Sequence, residues 1–146
     1  MFRSRFEHTI DAKGRLSIPA RFRDVLAERY DDRLVLTNFD RCLVAYPQAE
    51  WQAIEEKLAS LSMASPEVTA FTRFFVSGAT ECEIDKLGRI LIPQILRDYA
   101  KLEKDVVIAG QLRKFEIWAK PLWDEEMASS RTQLARLRGA VAQLGL

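Results

Sequence analysis

The sequence predicts an α+β protein, mainly β, in which two copies of one unit close into a small barrel or sandwich with short helices outside. Three observations carry this. Ile10-Asp11-Ala12-Lys13-Gly14-Arg15-Leu16-Ser17-Ile18-Pro19 returns as Ile84-Asp85-Lys86-Leu87-Gly88-Arg89-Ile90-Leu91-Ile92-Pro93, and Arg23-Asp24 then stands where Arg97-Asp98 stands; this is an internal repeat. Each copy adds a second pair of β-rich runs about a turn. A copy of about fifty residues buries only about 60% of its surface alone, so the two copies need each other, and edge-to-edge pairing gives internal pseudo-twofold symmetry.

The first element of each copy is a tight reversal. An apolar residue and an Asp close one strand, Gly permits a positive φ, and Arg with alternating apolar residues opens the next. This predicts a β-hairpin ended by proline. Asp11 and Asp85 accept bonds from loop amides, with Lys13-Gly14 and Leu87-Gly88 at the reversal. Pro19 and Pro93 fit the first position of a short helix; in the first copy Phe22, Val25 and Leu26 give residues 21–29 helical spacing.

Residues 34–37 and 42–46 predict a second hairpin, repeated by 106–109 and 115–118. Tyr46 matches Trp118 in register and Trp51 matches Trp123, aromatics suited to anchoring a core. Pro47 opens a helix whose Trp51, Ile54, Leu58 and Leu61 form an apolar stripe. Ser65-Pro66-Glu67 starts another, which Ser77-Gly78 ends. Leu134, Leu137, Val141 and Leu144 share one face of a final helix, expected to pack on a neighbouring subunit or to remain mobile.

At 146 residues, 48% of them hydrophobic, the chain has material for a real core. No run approaches the ~20 apolar residues of a membrane span, and no signal segment follows Met1-Phe2-Arg3-Ser4-Arg5, so a cytoplasmic protein is expected. Cys42 and Cys82 fit no ligand spacing and His8 is the lone histidine, which leaves no zinc site and predicts two reduced, buried thiols. His8 reads as a strand residue near the turn. Without a phosphate loop, a Gly-x-Ser-x-Gly or a metal cluster, the sequence argues against an enzyme, a cofactor or a small-molecule substrate.

Net charge is only +1, but it is unevenly spread. Residues 1–23 hold Arg3, Arg5, Lys13, Arg15, Arg21 and Arg23 against Glu7 and Asp11, a balance of +4. The matching window, 75–97, holds Lys86, Arg89 and Arg97 against Glu81, Glu83 and Asp85, a balance of zero. Arg3, Arg5, Lys13 and Arg21 become Ser77, Ala79, Leu87 and Ile95, so the shared fold does not require them and a polyanion is the leading reason for them. Asp11 and Arg15 recur as Asp85 and Arg89; for Arg15 a turn ion pair and a DNA contact weigh equally, whereas for Arg89 the structural role leads.

Phe2-Arg3, Asp11-x-Lys13-Gly14-Arg15-x-x-Ile18-Pro19, Phe74-Phe75-x-Ser77-Gly78-Ala79-x-Glu81 and Asp85-x-x-Gly88-Arg89-Ile90-x-Ile92-Pro93, with Leu96-Arg97-x-Tyr99-Ala100, resemble the MraZ family of transcriptional regulators. The resemblance extends to about Trp123. It implies two tandem SpoVT-AbrB domains, residues 5–52 and 77–124, forming one swapped-hairpin AbrB-type β-barrel. Residues 53–76 would be a helical connector, and 125–146 a C-terminal helix or mobile tail.

The resemblance further implies a nucleoid-associated ring of subunits. Such rings bind short direct repeats in double-stranded DNA upstream of the division and cell-wall gene cluster, usually as repressors. Its Asp-x-x-x-Arg motif falls on Asp11 and Arg15, and on Asp85 and Arg89. The charge balance selects the first copy as the reading face. Arg15 is expected at a base edge, with Arg3, Arg5, Lys13, Arg21 and Arg23 positioning phosphates, so Arg15→Ala should weaken binding far more than Arg89→Ala. The competing expectation is an AbrB-type antitoxin or interaction module using the final helix.

Overall fold

Strand pairing crosses between the two copies at most ladders in a computed structural model of the chain, which describes residues 1–62 and 64–146. The order is β1 (Arg5–Thr9), β2 (Arg15–Ser17), α1 (Ala20–Arg29), β3 (Arg33–Phe39), β4 (Cys42–Pro47), α2 (Gln48–Ala59) and α3 (Pro66–Ser77). There follow β5 (Thr80–Glu83), β6 (Arg89–Leu91), α4 (Gln94–Tyr99), β7 (Asp105–Gly110), β8 (Phe115–Ala119), α5 (Lys120–Thr132) and α6 (Leu134–Ala140). Six strands form one antiparallel sheet, β1-β7-β8-β4-β3-β5, and β2 and β6 form a separate ribbon. That order reads the same from both ends when the copies are exchanged. Equivalent residues lie directly opposite, Val44 with Glu116 and Leu16 with Ile90, so the pseudo-twofold axis passes through both sheets.

Two expectations about strand pairing need correction. The predicted first hairpin does not pair with itself: β1 pairs with β7, β2 with β6, and one bridge, Ile10 to Leu16, is left between the arms. An isolated two-stranded ribbon is marginal in water, and exchanging arms gives each strand a partner in the other copy. The barrel, secondly, does not close through hydrogen bonds. Pro19 and Pro93, lacking an amide donor, follow soon after β2 and β6, and the six-stranded sheet stays open with β1 and β5 at its edges. The second hairpins, β3 with β4 and β7 with β8, form as expected.

Closure is instead made by side chains. Leu16, Ile18, Ile90 and Ile92 point from the ribbon segments into one core with Leu34, Leu36, Ile108 and Ile117 of the sheet, joined by Phe22 and Leu26 of α1 and Leu96 of α4. The other face buries Val35, Val44, Tyr46, Val107 and Trp118 beneath Trp51 of α2 and Phe75 of α3. Central strands covered on both faces lose the polar alternation of a half-solvated sheet, which is why residues 34–37 and 106–109 read as continuous β-rich runs.

Helix termini follow the sequence closely. Pro19, Pro47 and Pro93 sit at the N-cap, one position earlier than expected, where their extended ψ angles of 139°, 146° and 147° turn the chain into each helix. The Ser65 hydroxyl accepts the Val68 amide and caps α3. Gly78 ends it for a reason of space, since a Cβ there would lie 1.9 Å from Asn38 Oδ1. Asn38 Nδ2 donates to the Phe74 carbonyl, and Thr37 Oγ1 to that of Phe75. The expected single final helix is interrupted at Gln133, and α6 buries no residue.

Candidate nucleic-acid interface

The two reversals form with nearly the same geometry in each copy. Asp11 Oδ1 accepts the Lys13 and Arg15 amides, each at 2.9 Å, while Oδ2 takes Arg15 Nε at 2.7 Å. Asp85 Oδ1 accepts Leu87 and Arg89 amides at 2.9 Å, and Oδ2 takes Arg89 Nε at 3.1 Å. The Arg15 amide and guanidinium together hold the Asp11 carboxyl down to about 2, and the Arg89 amide foremost lowers Asp85 in the same way. Gly14 and Gly88 carry φ of +88° and +78°, the left-handed region that favours glycine.

On each arginine only Nε is taken by the carboxylate. The terminal nitrogens have no protein partner among the described residues and remain free to donate outward. Ribbon register places Arg15 opposite Leu91 and Arg89 opposite Ser17. These four side chains face away from the core, since Leu16 and Ile90 between them are fully buried. Both motif arginines therefore share one outward face of a two-stranded antiparallel ribbon.

Arm exchange redistributes the cations that the sequence groups in the first copy. The Ile92 amide donates to Gly14 at 2.9 Å and the Ile18 amide to Gly88 at 2.8 Å, so each turn lies against the helix start of the opposite copy. One end of the ribbon accordingly brings Arg97 to the turn that holds Asp11, Lys13 and Arg15. Its other end brings Arg23, with Arg21 at the start of the same helix, to the turn that holds Asp85, Lys86 and Arg89. Lys13 and Arg21 are exposed but belong to opposite ends.

Arg3 and Arg5 lie elsewhere. Arg3 adjoins Gly110, and Arg5 pairs with Ala109, at the end of β1 remote from the turn; Arg5 is about 13 Å along the strand from Thr9. The Arg5 guanidinium lies 5.8 Å from the Trp123 ring centroid, with Nη1 3.5 Å from Met127 Sδ, a contact that ties β1 to α5. His8 Nδ1 donates to the Ser17 carbonyl at 2.8 Å, linking β1 to the ribbon.

Arg23 is the residue whose role the charge comparison missed. Its Nε donates to the Ile18 carbonyl at 3.2 Å, and its guanidinium lies across Gly88, where a Cβ would come within 2.9 Å of Nη1. Arg97 repeats this, bonding the Ile92 carbonyl at 3.0 Å and lying across Gly14 within 2.7 Å of where a Cβ would be. The signal was present, because these two cations recur in register while Arg3, Arg5, Lys13 and Arg21 do not.

Cys42 and Cys82 are free, buried thiols raised by burial, Cys82 to about 11. Among the described residues, no cluster of metal-ligating side chains exists and no helix is long and apolar enough to cross a membrane.

The antitoxin-like MraZ protein family model matches residues 1–74 and again 75–138, dividing the chain between its two repeats. A transcriptional regulator MraZ of Desulforamulus reducens is 47% identical over 144 residues, 99% of each chain. One from Desulfitobacterium hafniense is 47% identical over 146 residues, the whole of both. One from a Thermoanaerobacter species is 52% identical over 126 residues, 86% of this chain and 85% of its own. With both repeats matched and identity sustained along the full chain, this protein belongs to the MraZ family.

Proposed function

We propose that the protein is a sequence-specific DNA-binding transcriptional regulator whose reading surface is the outward face of the β2–β6 ribbon. A single observation carries this. Arm exchange brings Arg15 and Arg89 onto one antiparallel ribbon, each oriented by a carboxylate and each with its terminal nitrogens unpaired among the described residues. The major groove of B-DNA admits a two-stranded ribbon, and arginine pairs bidentately with guanine there. Arg15 and Arg89 take the base edges, while Lys13, Arg21 and Lys86 position phosphates. The surface thus uses both turns rather than the first copy alone.

The names of its relatives support regulation of transcription, and family membership supports the finer reading. The protein acts in the cytoplasm, at the nucleoid, as repressor of the division and cell-wall cluster that includes its own gene. One subunit offers few cations, and non-specific binding of that kind is weak, about 10⁻⁴ to 10⁻⁶ M. Joining subunits into a ring, so that successive faces meet successive direct repeats, multiplies affinity by about 10² to 10⁴. The antitoxin or interaction-module reading rests on the exposed Leu134 and Leu137 of α6.

Fluorescence anisotropy with duplex DNA from just upstream of the protein's own gene, against an unrelated duplex of equal length, tests the reading over a salt series. The three phosphate-positioning cations of one subunit give a slope of log affinity on log salt of about −2.7, a loss of about fortyfold between 50 and 200 mM. Affinity indifferent to salt, or equal for both duplexes, would overturn it.

A further inference from the structure

Between residues 1–23 and 75–97, Arg23 and Arg97 are the only cations outside the turn motif that recur in register, and the reading surface leaves them unused. Each is anchored at one edge by its own copy and covers the other copy's turn at its glycine. Arg97 Nε bonds the Ile92 carbonyl while the Ile92 amide bonds Gly14, so guanidinium and backbone hold the first turn from two sides. Arg23, Ile18 and Gly88 make the same arrangement at the second turn. A planar group lying flat on a glycine needs the absence of a Cβ, and a substituent at either glycine would meet the guanidinium within 3.0 Å. Both turns are short and exposed at Lys13 and Leu87, the kind of segment that opens readily unless something covers it.

We propose that Arg23 and Arg97 are reciprocal clamps, each holding the opposite copy's turn in the form that presents its motif arginine, and that neither contacts phosphate. Arg97 is thereby a positioning residue for Arg15, and Arg23 for Arg89. The proposal rests on the ribbon as the reading surface only for its effect on DNA; the clamping of the turns is independent of it. A lysine keeps the charge but has no planar fork to lie across the glycine, so charge and shape can be separated. A turn that must be ordered at binding loses a factor of about ten for each backbone residue left free.

The test uses the full chain as wild type, Arg97→Met, Arg97→Lys, Arg23→Met and Arg23→Lys. Hydrogen exchange followed by mass spectrometry reads the turns, and anisotropy with the upstream duplex over a salt series reads binding. The clamp predicts faster exchange confined to residues 11–16 in both Arg97 variants and to 85–90 in both Arg23 variants. Affinity falls about tenfold for lysine as for methionine, with the salt slope of wild type.

Three results would overturn it. Lysine variants that bind like wild type, while methionine variants lose about one unit of slope, would make these residues phosphate contacts. Unchanged exchange in the turns would remove the clamp whatever the DNA result. Exchange raised throughout the chain would show a role in overall stability only. Wild-type protein that does not prefer the upstream duplex would instead refute the regulator reading, and the exchange arm would still decide the clamp.

Discussion

Phe2 lies at the very start of the chain and yet is 1% exposed, which makes it a sharp test of how the copies are joined. Its ring meets Phe22 and Phe115 edge-on, each at 5.2 Å, and stacks on Tyr30 at 6.4 Å. These partners come from α1, from the segment after it, and from β8 of the second copy. Backbone bonds hold Phe2 in place without its ring, since its amide donates to the Leu112 carbonyl at 2.7 Å and Leu112 donates back at 2.8 Å. Phe2→Ala should therefore empty the site rather than detach the terminus.

Removing a buried phenyl ring costs about 3–5 kcal/mol. A site near a chain end can partly collapse, so the lower figure, about 3 kcal/mol, is the expectation. For a chain of this size that corresponds to a fall in Tm of about 6–12 °C. Thermal unfolding followed by tryptophan emission, at one fixed protein concentration, measures it. Phe2→Leu, which keeps most of the volume, should recover more than half of the loss. A fall of under about 2 °C for Phe2→Ala would show that the ring does not fill the shared core.

Three further outcomes follow from the same geometry. The folded Asp11 carboxyl titrates at about 2, below its ordinary value, so what its bonds contribute is fully present above about pH 4 and lost as pH falls towards 2; Asp11→Asn should lower stability by a constant amount across pH 5–8 and flatten its further loss between pH 4 and 2, and an acid limb as steep as that of wild type would contradict this. Cys42 and Cys82 are buried and raised, so neither should react quickly with a thiol reagent at pH 8 in the native protein, whereas both should in denaturant; rapid native reaction would mean the core opens there. Deleting residues 134–146 removes no buried side chain, so Tm should move by less than about 2 °C, and a larger fall would place α6 in the core.

Much of the fold was legible because the repeat makes each element visible twice. Gly14 and Gly88 mark the same turn and Pro19 and Pro93 the same helix entry in each copy, while Trp51 anchors the core and its counterpart Trp123 packs against it half-buried. The chain did not reveal which strand pairs with which. Residues 5–9 and 15–17 satisfy the local pattern of a hairpin whether they pair with each other or with the second copy, and only burial shared across the copies decides between those ladders.

That one choice also governs the site. Asp11, Arg15, Asp85 and Arg89 could be named from spacing, and the structure places them where a turn ion pair requires. Grouping Arg21 and Arg23 with Arg15 followed chain order, and exchange carries them to the Arg89 end instead. Arg5 was counted as a free cation because nothing in a charge balance shows Trp123 beneath it.

The central claim is that both turns of the exchanged ribbon read DNA together. Arg15→Ala and Arg89→Ala, each measured against the upstream duplex and an unrelated one, test it most directly. The ribbon account predicts that each substitution weakens specific binding by about tenfold or more and narrows the preference for the upstream duplex. An Arg89→Ala protein that binds like wild type while Arg15→Ala does not would confine reading to the first copy and contradict it.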